Sequence, residues 1–397
     1  MNRLALAAAL LASSAPLAAE THRVDPAQGA AALQEALILA APGDVIELGE
    51  GRFTLTDGLS LDVAGVTVRG QGMDKTVLDF TGQQGAGEGL LVTSDNVTLQ
   101  GFAVENPKGD GIKSKGADGI VYSGIRVEWT GGPKASNGAY GIYPVESVGV
   151  LVTNSKVSGA SDAGIYVGQS RDITVAENIV TFNVAGIEIE NSRNALVTNN
   201  IASRNTGGLL VFDLPGLPVM NGGNVILRGN VVKDNDTPNF APPGNIVANV
   251  RRGTGVLVMA NDGVLIENNA FQGNATAHVM VIAYTQSYDD PRYNPYARNV
   301  IIGPNEFGRG GYDPQIDGKE MLLAAFGGAL PPVLWDGIVE DDNGLKIAAG
   351  VTGWSLNLSK PGQSLAEASP GPLDLTPLES WEFPHVGAPA ALEARLK

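Results

Sequence analysis

The stretch DAGIYVGQSRDITVAENIVTFNVAGIEIENSRNALVTNNIASRNTGGLLVF, residues 162–212, decides the fold, because it states one phrase three times. GIYV begins at Gly164, GIEI at Gly186 and GLLV at Gly208, each 22 residues after the last. Two shorter aliphatic runs fill each interval: ITV (173–175) then IV (179–180), and ALV (195–197) then IA (201–202). Runs of this length, bounded by Gly and Asn and lacking a 3.6-residue period, read as strands rather than helices.

Working outward, the glycine phrase recurs at Gly89, Gly111, Gly141 and Gly255. A second register passes through Leu99, Val121, Val152, Val175, Val197, Leu227, Ile266 and Ile302. Three residues beyond those anchors stand Phe102, Gly124, Ser155, Asn178, Asn200, Asn230, Asn269 and Asn305, five of the eight asparagine. Such a column is what stacked turns require, since each carboxamide can bond the turns above and below it. With three short strands per repeat, no repeat buries its apolar face alone, so neighbours must stack around one continuous core. The chain therefore reads as all-β, a parallel β-helix solenoid of about ten rungs over residues 45–330. Residues 20–44 read as an N-terminal cap, in which Leu33, Leu37 and Ile38 have helical spacing before Pro42-Gly43. The segment 331–397, with 8 of the 23 prolines, reads as an irregular C-terminal cap and draped tail; Trp354, Trp381 and Phe383 favour packing over a free linker.

Composition narrows the function. The absence of cysteine from all 397 residues excludes disulfides, zinc–cysteine sites and cysteine nucleophiles. Residues 1–19 carry Arg3, an apolar run over 4–12 and a small-residue end at Ala18-Ala19, the pattern of a secretory signal cut before Glu20. The run is too short to span a membrane and none longer follows, which places the mature chain in the bacterial periplasm or outside the cell. A formal net charge of −16, one more negative without Arg3, argues against nucleic acid as partner.

The repeats GDGIKSKGADGI (109–120), NGAYGIYPV (137–145), DAGIYVGQS (162–170), AGIEIENS (185–192) and GGLLVFDLPG (207–216) resemble the right-handed parallel β-helix superfamily, which includes pectate lyases and mannuronan epimerases. More narrowly, they resemble a bacterial family of exported parallel β-helix repeat proteins. That resemblance covers residues 45–330. It implies right-handed winding, and from the narrower family a cytochrome c-like redox partner. It transfers no site: Tyr312-Asp313-Pro314-Gln315 lacks the histidine of the epimerase Asp-Pro-His-Asp motif, and the Gly-His-Gly and Arg-Ile-Lys motifs of polygalacturonases are absent.

Alternation along the first strand of each repeat supplies a surface map. With Leu90, Ile112, Ile142, Ile165, Ile187 and Leu209 inward, the outward column is Leu91, Lys113, Tyr143, Tyr166, Glu188 and Leu210, flanked by Thr93, Lys115, Val145, Gly168, Glu190 and Phe212. Lengthened connections at 131–139, 214–223, 233–253 and 284–298 border the same sheet, the arrangement of a cleft suited to a polymer. Lys113, Tyr143, Tyr166 and Glu188 are the candidate catalytic residues; Lys115, Lys134, Glu190, Arg251 and Arg252 are the candidate substrate-binding residues. Lys113 can neutralise a uronate carboxylate while Tyr143 or Tyr166 exchanges a proton. Alternatively, Glu188 and Glu190, about 6.6 Å apart at the backbone, approach the carboxyl spacing of an inverting glycosidase. Plain packing or non-catalytic stacking of sugars are the competing readings, and a free-standing wall is expected at 233–253. His278 reads as structural. No cofactor or metal is expected; Asp289-Asp290 and Glu340-Asp341-Asp342 have the chemistry for calcium but read better as solvated loops. Three functions stay open: a lyase or epimerase on acidic polysaccharide, a non-catalytic glycan binder, or an accessory protein serving the cytochrome-like partner.

Overall fold

The computed structural model describes residues 19–85, 87–341, 343–363 and 365–396, so the signal sequence expected at 1–19 lies outside it apart from Ala19. The chain winds into three sheets of twelve, twelve and ten strands, and ten rungs carry a strand in each. Every pairing is parallel except that of Gly371–Pro372 with Gly353–Ser355. The first sheet holds the glycine-phrase strands, such as Ala163–Gly168 and Ala185–Glu190; the second holds Arg171–Ala176 and Arg193–Thr198; the third holds Ile179–Thr181 and Ile201–Ser203. Ile112, Ile142, Ile165, Ile187, Leu209 and Val256 stand in one first-sheet register and are fully buried. Branched aliphatics dominate because every inward position is closed on three sides by sheet.

One repeat departs from the sequence alignment. Tyr122, not Val121, stands opposite Leu99 and Val152. Tyr122 turns inward because its hydroxyl finds a partner there, donating to Ser114 Oγ at 2.8 Å, while Val121 faces out under the C-terminal tail. The residue at the asparagine level of that rung is accordingly Ile125 rather than Gly124.

The asparagine column forms a buried ladder. Asn178, Asn200, Asn230 and Asn269 each donate from Nδ2 to Oδ1 of the next member, ending on Asn305, at 2.9–3.0 Å. A second ladder, not anticipated, runs through Asn183, Asn205, Asn235 and Asn274 at the turn into the first sheet. His278 terminates it: its Nδ1 accepts from Asn274 Nδ2 at 3.1 Å and its Nε2–H donates to the Gly308 carbonyl at 3.1 Å. Burial lowers the imidazole pKa, in keeping with this neutral tautomer.

The ends are covered. Helix Gly29–Leu39 buries Leu33 and Leu37 against the first rung, while Ile38, one position on, faces solvent. Strand Thr21–Val24 adds to Val45–Leu48. At the other end the tail turns back from Leu378, bridged to Ala348, and crosses the outer face of the second sheet. Val386 packs on Ile226, Leu265 and Ile301, and Leu392 on Val121 and Leu151. Arg395 donates to the carbonyls of Asn96 and Gly119. These outward apolar residues on the second sheet are why the tail lies there.

Candidate functional site

The outward first-sheet columns align as the alternation requires: Lys113 opposite Tyr143, Tyr166 opposite Glu188, Gly168 opposite Glu190, and Glu190 opposite Phe212. They are outward but not solvated. Tyr166 is 4% exposed, Glu188 2% and Glu190 8%. The reason is the segment 233–253, which folds down on the sheet as a packed cover instead of standing as a wall. Its Val247 and Val250 are buried with Tyr166, Leu210 and Phe212, and its own Asn239 Nδ2 holds the segment folded on itself by donating to the Val247 and Val250 carbonyls at 2.8 and 3.0 Å.

Under this cover three tyrosines meet. Tyr140 lies 4.5 Å from Tyr143 and 4.6 Å from Tyr166 between ring centroids, and Tyr143 meets Tyr166 edge-on at 5.0 Å. Tyr166 leans along its own strand over Gly168, where a Cβ would stand 2.3 Å from its ring. Glycine is required by that approach, which carries the Tyr166 hydroxyl to Glu190 Oε1 at 2.7 Å. Glu188, two residues before Glu190 on the same strand, is buried beside it. Asp162, from the turn before Ala163–Gly168, joins them; its Oδ2 accepts from Asn245 of the cover at 3.5 Å, while Oδ1 and Glu188 Oε2 are buried with no partner.

Burial sets the charge state. It raises Glu188 and Glu190 above the usual carboxylate range, and the neighbouring carboxylates Asp162 and Glu190 raise Glu188 further. Asp162 is pushed up to about 7, first by burial and then by Glu190. At the rim, burial raises Asp110 to about 6 and Asp213 to about 6. Lys113 does not reach the centre: its Nζ sits 3.2 Å from Glu88, 4.0 Å from Asp110 and 4.8 Å from the centroid of the Tyr143 ring.

The remaining sequence candidates disperse. Lys115 is exposed and pairs with Glu146 at 3.8 Å; Lys134 is exposed on the 131–139 turn. Arg252 pairs with Asp313 at 2.6 Å, and Arg251 lines a separate cavity further along the sheet. Tyr140, Asp110, Asp162 and Asp213 were missed. Their signal was position, all lying in turns that enter or leave the glycine-phrase strands, where strand alternation gives no direction. Of the calcium candidates, Asp290 is held by Arg292 at 2.6 Å and Asp342 lies outside the described residues. Among the described residues no group of three or more acidic, histidine or cysteine side chains is placed to hold a metal ion, and no helix is long and apolar enough to cross a membrane.

Residues 64–216 match a family model described as a right-handed β-helix region. No curated protein matches the sequence. Among solved structures, the mannuronan C-5 epimerase A-module of Azotobacter vinelandii is similar at 13% identity with a TM-score of 0.51, over 80% of this chain and 89% of that one. The catalytic unit of a GH87 α-1,3-glucanase from Streptomyces thermodiastaticus is similar at 15% identity with a TM-score of 0.50, over 84% of this chain and 53% of that one. At such identities the likeness is one of fold, and it agrees with the three parallel sheets: the chain has the right-handed parallel β-helix fold.

Proposed function

We propose that this β-helix acts on a glycan outside the cytoplasm, transferring protons at the cluster of Asp162, Tyr166, Glu188 and Glu190. One observation supports the reading: two buried carboxyls, Glu188 and Glu190, both raised above the usual carboxylate range and one of them accepting from the Tyr166 hydroxyl, stand beside Asp162, which burial pushes up to about 7. Groups held near the working pH are the efficient proton donors and acceptors. Asp162 and the Tyr166 hydroxyl are the groups that meet the sugar; Glu188 and Glu190 hold the proton. Beside the cluster Tyr143, Lys113 and Asp110 are only partly buried, the side from which a sugar would approach. The names of similar folds, an epimerase and a glucanase, make a polysaccharide the natural substrate class.

The balance of charge favours a neutral glycan and hydrolysis. Asp110 and Asp213, raised only to about 6, carry negative charge at neutral pH, and Lys113 beside Asp110 is already engaged with two acids, so a uronate would meet repulsion. Incubating the mature protein with neutral and uronan polysaccharides is expected to yield reducing ends without unsaturated products. Asp162→Asn and Glu190→Gln are expected to lower the rate 10²-fold or more with the fold intact by circular dichroism. Absence of product, or wild-type rates in both variants, rejects the reading. A lyase or epimerase acting on acidic glycan is the second reading, favoured by the Lys113 ammonium over the Tyr143 ring; unsaturated or epimerised products select it, and binding without turnover selects a non-catalytic glycan binder. The cytochrome-like partner rests on the family resemblance alone. Export is tested by N-terminal sequencing of the periplasmic form, expected to begin at Glu20.

A further inference from the structure

The outward face of the first sheet changes character along the solenoid axis. From Lys113 to Glu188 one column is polar and aromatic, and the other, through Lys115, Val145 and Gly168, ends on Glu190. From the next rung they become Leu210, Leu257, Met280 and Leu334 in one line and Phe212, Met259 and Ile282 in the other. The switch occurs between Glu190 and Phe212, direct neighbours about 4.8 Å apart. Outward positions on a solenoid gain nothing by being apolar unless something covers them. Part of this stretch is covered by the C-terminal cap, through Trp354 and Leu330. The rest floors a cavity of about 560 Å³, walled by Ile246 and Val250 of the 233–253 cover and by Ile338 and Leu358 of the cap. Thr254, Gln286 and Gln363 supply polar groups around it, and exposed Arg251 stands on its lining.

A chain of sugars binds through hydroxyls and through flat aromatic faces. Beyond Phe212 at its near end, with Tyr284 and Asp336 on its lining, the floor is Leu257, Met259, Met280 and Ile282, flexible and aliphatic surface suited to an alkyl chain. Resting on the glycan reading above, we infer that the substrate is an amphiphilic glycoconjugate, whose sugar lies at the carboxyl–tyrosine cluster and whose acyl or alkyl portion occupies this cavity. The cavity has the size of a small-ligand site, and its first floor residue, Phe212, adjoins Glu190 in register. One ligand lying along the sheet therefore spans both regions, about 14 Å separating the Glu188 and Met280 backbones three rungs apart.

The test uses octyl maltoside below its micelle-forming concentration, with maltose as the probe lacking the chain, by titration calorimetry on the mature protein. Saturable one-to-one binding of octyl maltoside, at least tenfold tighter than maltose, is expected. Ile282→Trp, which fills the cavity from its floor, is expected to weaken it at least tenfold with an unchanged melting temperature. If that variant does not fold, Ile282→Phe provides the same comparison with less added volume. Equal affinity for the two probes, no saturable binding, or variant affinity equal to wild type overturns the inference. Failure of the glycan reading is seen separately, as absence of Asp162-dependent product, and leaves the alkyl-binding result to stand or fall alone.

Discussion

Asn200 shows what one side chain contributes to this solenoid. Its Nδ2 donates to Asn230 Oδ1 at 3.0 Å and to the Val175 carbonyl at 2.9 Å, while its Oδ1 accepts from the Asn178 backbone N–H and Nδ2, both at 2.9 Å. Removing the carboxamide strands the buried Asn178 backbone N–H and takes one hydrogen bond each from Asn178 Nδ2, Asn230 Oδ1 and the Val175 carbonyl, at a cost of about 1–3 kcal/mol. Asn200→Ala should therefore lower the urea midpoint with little change in slope, and an unchanged midpoint would contradict the ladder. This column was legible because it falls at a fixed distance from each second-strand anchor. The second ladder was equally regular, five residues beyond the first at Asn183, Asn205, Asn235 and Asn274. It is harder to see because the insertion 233–253 parts Asn235 from its glycine phrase at Gly255, whereas Asn183 and Asn205 stand three residues before Gly186 and Gly208. Tyr122 is a different failure: a hydroxyl marks a residue as outward only when no partner waits inside, and Ser114 is that partner.

The segment 233–253 shows the limit of reading elements from sequence. Alternation told which way Tyr166, Glu188 and Glu190 point from their strands, but not what lies over them, since the cover comes from residues that follow three rungs' worth of chain. Length and prolines suggested a free wall; apolar Val247 and Val250, set among polar residues, were the available hint of packing. Both are buried, and Val250 lies so close to Gly207 that a Cβ there would stand 2.9 Å from its Cγ1. Val250→Asp should lower stability by about 1–3 kcal/mol and make 233–253 the first segment cut in limited proteolysis, whereas the wild-type segment should resist. Early cleavage of the wild type would mean that the cover is not held by these contacts.

Across the whole molecule the buried carboxyls give stability an unusual dependence on pH. Asp162 and Asp336 titrate near 7, and Asp110 and Asp213 near 6, each raised chiefly by burial. A carboxyl whose folded pKa is raised contributes fully below its unfolded value near 4, and the contribution is lost as pH rises through the folded value. Asp44 acts oppositely: backbone N–H groups of Ala41 and Glu20 hold it down to about 2, so its contribution is lost only in stronger acid. The denaturant midpoint should accordingly be higher at pH 5 than at pH 8, and Asp162→Asn should narrow the difference. A midpoint that rises toward pH 8 would show that these groups are not buried as described.

The C-terminal tail has a mechanical consequence. It lies across the second sheet from Ala348 back to Asn96 and Gly119, held at separated points by Val386, the Ala388 N–H on Thr174, Leu392 and Arg395. Tension applied at the C-terminus loads these contacts in succession, Arg395 and Leu392 before Val386, so the tail peels at low force. The same tension applied across the rungs must shear many parallel hydrogen bonds together. The molecule is thus compliant to a pull from its end and stiff along its body, with the outer apolar strip of Val121, Leu151, Ile226, Leu265 and Ile301 laid bare by the first and untouched by the second.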